Sequence, residues 1–220
     1  MSENAKLLQK EIKLASSPLS YFFLAFTLMA FIPGYPILVS QFFICLGLFQ
    51  TFQNGRESND IIYSVMLPIS KKSIVKARFI FVVFIEMIDF ILTLTFSLIR
   101  MGLMSNLSPY LTNPLMNANF FFVGFSLLIL ALFNLIFVRG FFKTGYYFAK
   151  SFIAFIVIAF LLVAASEVLH YLPGLQFIST SGFEELPKQL IFLCASIIVF
   201  VLFTIWGEIS AAKSFEKIDL

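Results

Sequence analysis

Glu86 and Asp89 lie seven and ten residues beyond Phe79, inside an otherwise apolar run. A spacing of three places both carboxyls on one face of a helix. Such a pair can hold a cation or a cationic side chain, pass a proton, or tie helices together by hydrogen bonds. At 1.5 Å per residue they sit about 10 and 15 Å along a helix that starts at Phe79. Ionised acids that deep in hydrocarbon cost several kcal/mol unless paired or hydrated, so they face a bundle interior. Two readings stay open: the pair lines a translocation path that favours cationic or amphipathic cargo, or it clamps the fold by pairing with Lys150 or with polar groups on a neighbouring span. A proton relay is the weaker third, because no further acid or His continues the chain of carriers within the spans.

Other reactive groups are sparse. The chain has one His and two Cys in 220 residues. Cys45 and Cys194 fall in apolar stretches with no CxxC spacing, and read as small hydrophobes. His170 has no second His or Cys on its side of the membrane to complete zinc's usual four positions, so no metal is expected. His170 with Glu184-Glu185 evokes an intramembrane protease, but that chemistry needs Glu-Glu-x-x-x-Arg and Gln189 stands where Arg is required. A nucleotide-binding P-loop needs GxxxxGK[ST], whose amides and Lys cradle phosphates. The run from Gly140 to Gly145 is out of register for it, so no catalytic residue is assigned and no cofactor is expected in this chain.

The elements that would position these groups follow from composition. Hydrophobic residues make up 60% of the chain, aromatics 18% and charged residues only 12%, with 31 Phe. The mean hydropathy is +0.97. A soluble domain carries about 25% charge, so soluble enzymes and disordered tails are excluded. A net charge of +3 without a dense basic run excludes nucleic-acid binding. An all-α polytopic membrane protein remains. A span needs about 20 mostly apolar residues, and six segments qualify or come close: Leu19–Ile32, Ile37–Phe52, Phe79–Ile99, Ala118–Val138, Tyr147–Val168 and Leu190–Trp206. The first two are short and joined by Pro33-Gly34-Tyr35-Pro36, which fits two thin spans or a re-entrant hairpin; two spans are expected. The Phe residues read as lipid-facing bulk spread over all six.

Charge fixes the sides. Lys6, Lys10, Lys13, Arg56, Lys71, Lys72, Lys76, Arg78, Arg139, Lys143, Lys150, Lys213 and Lys217 fall on one side. The opposite loops, 100–117 and 169–189, hold Lys188 with Arg100 at their border. The Lys/Arg excess marks the cytoplasm, so both termini are expected inside. The first 18 residues lack the apolar core of a signal peptide. They place Lys6, Lys10 and Lys13 within an arc of about 60°, with Leu7, Leu8, Ile12, Leu14 and Ala15 opposite and Glu11 as the one misplaced charge. This predicts an interfacial amphipathic helix over 1–18, ahead of one transmembrane domain over 19–220. The loop 54–78 is long enough to fold or to do a job. Ser58, Asn59 or Asp60 can cap a short helix carrying Ile61, Ile62, Val65 and Met66, which Leu67-Pro68 ends. Ser70 caps a second helix running into the third span. Lys71 and Lys72 in its first turn oppose the helix dipole and so point to lipid phosphates or an acidic partner. His170 and the prolines of 169–189 fit short surface or re-entrant helices closing the outer side.

The string Asp60, Tyr63, Leu67-Pro68-Ile69-Ser70-Lys71-Lys72-Ser73-Ile74-Val75 and Ala77-Arg78-Phe79 resembles the signature loop of ABC-2-type transporter permeases, and in particular the short six-span bacterial permeases that include modulin-type peptide exporters. Leu7-Leu8-Gln9-Lys10-Glu11 is similar to their N-terminal helix. Phe79 stands where Tyr is common, and the detailed match covers roughly 40 residues. The resemblance implies a coupling helix docked on a separate ATPase, which would hold ATP and Mg. Asp60, Tyr63, Met66, Leu67 and Pro68 would face that subunit, with Lys71, Lys72 and Arg78 at the membrane border. It further implies a second permease chain, identical or related, and export of peptides or amphipathic molecules across a bacterial plasma membrane. Two chains would also enclose a path that a bundle of this size alone cannot. The rival reading is a non-catalytic immunity or regulatory membrane protein that sequesters a peptide or toxin. It accounts for the acidic pair but leaves the apolar loop idle.

Overall fold

The computed structural model describes residues 8–66, 69–144 and 147–218, with Leu14 and Ala15 described by backbone alone. All regular structure among them is helical. A π-helical turn, α1 (Glu11–Ala15), leads to Ser17, whose side chain accepts from Leu19 N at 3.3 Å and starts α2 (Pro18–Phe22). Pro18 suits that first turn because its missing N–H has no partner to lose. The helix continues as a nine-residue 3-10 helix, Phe23–Phe31. At about 2.0 Å rise per residue in the 3-10 part, residues 18–31 cover about 25 Å, against about 21 Å for an α-helix of that length. A short apolar segment is thereby stretched towards the roughly 30 Å of hydrocarbon.

The chain reverses through Gly34, at φ 71, whose N–H donates to Asn113 Oδ1 at 3.1 Å. It returns as α3 (Val39–Glu57). Three polar contacts bind this hairpin: Ser20 Oγ to Gly47 O at 2.7 Å, Ser20 Oγ to Thr51 Oγ1 at 2.8 Å, and Ser17 N to Thr51 Oγ1 at 3.0 Å. Gly47 allows the approach, since a Cβ there would lie 2.9 Å from both Leu19 O and Ser20 Cα. Backbone atoms cannot swing aside as a side-chain end can. Gly47→Val is therefore expected to part the two helices and cost about 1–3 kcal/mol, read as a lower thermal midpoint of the purified protein. An unchanged midpoint would mean that the hairpin is not packed this closely.

Five residues beyond the span expected for it, α3 is still helical. Gly55 lies beside Arg78 there, and a Cβ would meet Arg78 Nη2 at an ordinary contact distance of 3.4 Å. Arg56, in the last turn, sits 5.1 Å from the Phe148 ring centre and suits the negative helix end. The stretch 54–78 is thus mostly helix rather than loop. Asn59 takes a left-handed φ of 52 at the turn, α4 (Asp60–Met66) follows, and Ser70 Oγ accepts from Ser73 N at 3.0 Å to cap α5 (Lys71–Leu103) as expected. At 33 residues α5 is about 50 Å long, so it outreaches the hydrocarbon.

The short α6 (Ser108–Leu111) lies in the connection 104–119, and the 3-10 turn Gln176–Ser179 in the segment 169–189, where short helices were expected. Between them run α7 (Phe120–Leu132), a π-helical stretch Phe133–Val138, α8 (Arg139–Thr144) and α9 (Phe148–Leu169); α10 (Leu186–Phe215) ends the chain. Helix α7 is buried on nearly every side and packs on α10, α5, α9 and α3. Four helices, Lys71–Leu103, Phe120–Thr144, Phe148–Leu169 and Leu186–Phe215, are long and apolar enough to cross a membrane. Residues 18–31 fall short in length, and α3 in apolarity.

The Phe residues are not mainly lipid-facing. Phe52, Phe122, Phe133, Phe137 and Phe155 are fully buried, and Phe49 stacks on Phe152 with centroids 3.9 Å apart. Lipid tails are as apolar as any side chain, so helices associate through close shape fit. Flat rings meeting edge to face supply that fit.

Candidate functional site

At the end expected to face the cytoplasm, four charges join three elements. Arg78, on α5, reaches Glu11 Oε2 with Nε at 2.9 Å and Asp60 Oδ2 with Nη2 at 2.8 Å. Lys10 reaches Asp60 Oδ1 at 2.6 Å and donates to Ser64 Oγ at 2.5 Å. Phe52 lies under the guanidinium, 5.3 Å from its centre. Arg78 is 3% exposed and Glu11 2%. Burial pushes the Glu11 carboxyl above the ordinary carboxylate range, although Arg78 and Lys10 pull it back. Glu11, out of place on an amphipathic wheel, is here the inward anchor of the N-terminal segment, while Ile12 and Lys13 are both exposed. Leu7 lies outside the described residues.

The expected docking residues divide. Tyr63 and Met66 are 66% and 76% exposed on α4, and stand free to meet a partner. Asp60 turns inward and fixes how α4 sits on α5 and on the N-terminal segment. Leu67 and Pro68 lie outside the described residues. Lys71 donates to Ile218 O at 2.6 Å and Lys72 pairs with Glu216 at 3.2 Å, so the end of α10 lies against the start of α5. Arg78, expected at the membrane border, is the centre of the ion-pair cluster.

Glu86 and Asp89 both face the interior, 1% and 0% exposed. Asn134, in the π-helical stretch, donates from Nδ2 to Glu86 Oε2 at 2.9 Å and to Thr204 Oγ1 at 3.0 Å. Thr93 donates to Asp89 Oδ1 at 3.4 Å and receives Gln41 Nε2 at 3.3 Å. Gly207 lets α10 close on the π-helical stretch, where a Cβ would lie 3.2 Å from Asn134 O. Glu86 Oε1, Asp89 Oδ2, Gln41 Oε1 and Asn134 Oδ1 are buried without a partner. Among the described residues neither acid has a cation within 4 Å; Lys150 is exposed at the start of α9.

The opposite end is tied shut by polar contacts. Arg100, 3% exposed, donates to Ala30 O and to Asn117 Oδ1, and stacks 4.0 Å from the Tyr110 ring centre. Tyr110 donates to Phe31 O at 3.0 Å. Asn119 Oδ1 caps α7 through Phe121 N and Phe122 N while its amide reaches Ile178 O and Thr180 O. Gln189 joins Phe120 N, Thr180 Oγ1 and Glu184 O. Glu167 accepts from Met116 N at 2.9 Å, and His170 Nε2 meets Pro114 O at 3.1 Å. Gln41, Thr93, Asn134 and Thr204 were not singled out from the sequence, and Arg100 was noticed there only as a border charge. Their signal is plain enough: an amide or hydroxyl within an apolar span must find a partner, and so marks an inward face. Cys45 is buried and Cys194 exposed, both as free thiols; no group of three or more His, Cys, Asp and Glu able to hold a metal occurs among the described residues.

Long apolar helices with exposed apolar faces, and polar side chains turned inward, define a multi-pass α-helical membrane protein. Residues 5–215 match the family described as ABC-2 family transporter protein, and the chain belongs to that family as an ABC-2-type permease. Comparison with curated proteins gave no match, and comparison with solved structures gave none either.

Proposed function

We propose that this permease is the membrane subunit of an ATP-driven exporter in a bacterial plasma membrane, working as a pair of like chains with both termini cytoplasmic. In this reading residues 18–31 and α3 form two thin spans that bring the total to six, and the N-terminal segment lies at the interface. A separate ATPase binds ATP and Mg and docks on α4, and the cargo is a peptide or other amphipath. The observation that carries the reading is α4 itself. A seven-residue helix offers Tyr63 and Met66 outward while Asp60 is held by Arg78 and Lys10, so a push on α4 reaches α5 and the N-terminal segment through ion pairs rather than a slack loop. Nucleotide can drive transport only by binding one arrangement better than another, and a stiff connection passes that preference on. The acids Glu86 and Asp89 sit where opening the bundle would bare them to cargo, and the outer contacts around Arg100 and Gln189 keep this state closed outside.

Tyr63→Ala with Met66→Ala tests the docking. Both side chains are exposed, so stability should stay within about 0.5 kcal/mol. The ATPase that co-purifies with a tagged wild-type chain in mild detergent should fall away at least ten-fold, since exposed aromatic anchors commonly contribute 2 kcal/mol or more to an interface. Full retention of the ATPase by the double variant would remove α4 as its dock.

A further inference from the structure

Where α5 begins and α10 ends, the two helices leave a cleft of about 450 Å³. Lys72 and Lys76 line it from α5, and Glu208, Ile209, Ala212 and Lys213 from α10. All three lysines are exposed. Lys72 has Glu216 at 3.2 Å, but among the described residues Lys76 and Lys213 make no ion pair. Lys72 and Lys76 are one helical turn apart, where like charges repel, and both stand near the positive end of α5. Lys213 adds a third charge from the facing helix. Three lysines thus meet two carboxylates, Glu216 on Lys72 and Glu208 in the wall near Lys76, so the cleft keeps one positive charge in excess.

The same two faces turn apolar further along. Phe84 and Met87 continue the Lys72–Lys76 row of α5, and Ile209, Ile205 and Leu202 continue the row below Lys213 on α10; all five are exposed. A soluble acidic partner could use the lysines but would leave these rows idle. An occupant with an anionic head and apolar tails uses both, and the inner leaflet supplies one.

We propose that this cleft is a binding site for an anionic phospholipid of the cytoplasmic leaflet, its phosphate oxygens accepting from Lys76 and Lys213 and its acyl chains lying along α5 and α10. Basic pockets between helices on that side are suited to such headgroups. The proposal rests on the membrane setting and sidedness, not on ATPase docking.

The test uses the full chain in detergent, titrated with phosphatidylglycerol, phosphatidylcholine or inorganic phosphate, and read by native mass spectrometry and thermal midpoint. Wild type should retain phosphatidylglycerol adducts and gain stability from them, with little effect from the other two. A lysine near an anionic surface contributes about five-fold to affinity, so Lys76→Gln with Lys213→Gln should weaken phosphatidylglycerol binding roughly 25-fold. Its midpoint without lipid should match wild type, and Lys76→Arg with Lys213→Arg should bind as wild type does. Phosphatidylglycerol binding unchanged in the Gln pair, or lost in the Arg pair, overturns the proposal. Equal stabilisation by inorganic phosphate would assign the cleft to a free anion and overturn it too. Loss of the co-purifying ATPase in the Gln pair, with phosphatidylglycerol binding intact, would give the cleft to a protein partner instead.

Discussion

Replacing Arg78 by Met is expected to lower the thermal midpoint by about 10 °C. The guanidinium meets Glu11 at 2.9 Å and Asp60 at 2.8 Å, whereas Lys10 stands 3.7 Å from Glu11, and both Arg78 and Glu11 are almost wholly buried. Removing one partner of a buried ion pair strands the other and costs about 3–5 kcal/mol; for a chain this long each kcal/mol shifts the midpoint by about 2–4 °C. Lys in place of Arg should recover only part of the loss, since a single ammonium cannot serve both carboxylates as a planar fork does. The loss should also depend on pH. An acid whose folded pKa is raised binds its proton more readily when folded, so its stabilising contribution is complete below its ordinary value of 4.5 and declines as pH rises through the folded value. Without Arg78 the largest downward pull on Glu11 is gone, and that decline moves to higher pH. The gap between wild type and variant should therefore be smaller at pH 5 than at pH 7.5. A gap of equal size at both values would show that Glu11 is not the stranded partner. Glu11→Gln in the Met background should narrow the gap at pH 7.5.

The second large effect is on transport rather than on folding. Glu86→Gln keeps the size and hydrogen-bonding capacity of the carboxyl, and its amide can meet Asn134 just as Glu86 does now. Asp89→Asn likewise keeps its contact with Thr93. Each change should leave expression and thermal midpoint within about 1 kcal/mol of wild type. If these acids are the anionic wall of the path, export of a cationic amphipath from cells should drop at least ten-fold, the effect of about 1.4 kcal/mol of lost interaction. Glu86→Leu is the contrasting change. It takes the partner from a buried Asn134 amide, at a cost of about 1–3 kcal/mol, and should harm assembly as well. Undiminished export by Glu86→Gln and Asp89→Asn together, with Glu86→Leu failing to assemble, would make the pair a structural clamp alone.

What could be read from the sequence was what membranes impose. Apolar length located the four long helices, Pro33 to Pro36 located the hairpin turn, and Ser70 the start of α5, because each follows from backbone geometry or solvent. Arg78 and Glu11 were both noticed, but their meeting was not. The resemblance puts Arg78 at the membrane border and a helical wheel leaves Glu11 as a misplaced charge, and neither shows that residues 67 apart in sequence meet in space. The burial of Phe137 and Phe155 is hidden for a similar reason: where lipid and core are equally apolar, composition does not tell them apart. The π-helical stretch that brings Asn134 to Glu86 has no sequence signature, yet a lone amide among Phe and Leu residues was there to be asked about.

The stretched helix Phe23–Phe31 has a mechanical consequence. The α2 turn that leads into it is fastened by Ser20 to Gly47 and Thr51, and its far end by Arg100 on Ala30 O and Tyr110 on Phe31 O. Recoiling those nine residues into an α-helix would shorten them by about 4.5 Å and turn one end against the other by about half a revolution. Runs of 3-10 helix this long are uncommon, so the segment resembles a wound spring held at both ends. The catch at its far end is a pair of side chains, and releasing them would deliver stroke and rotation together to the turn at Gly34.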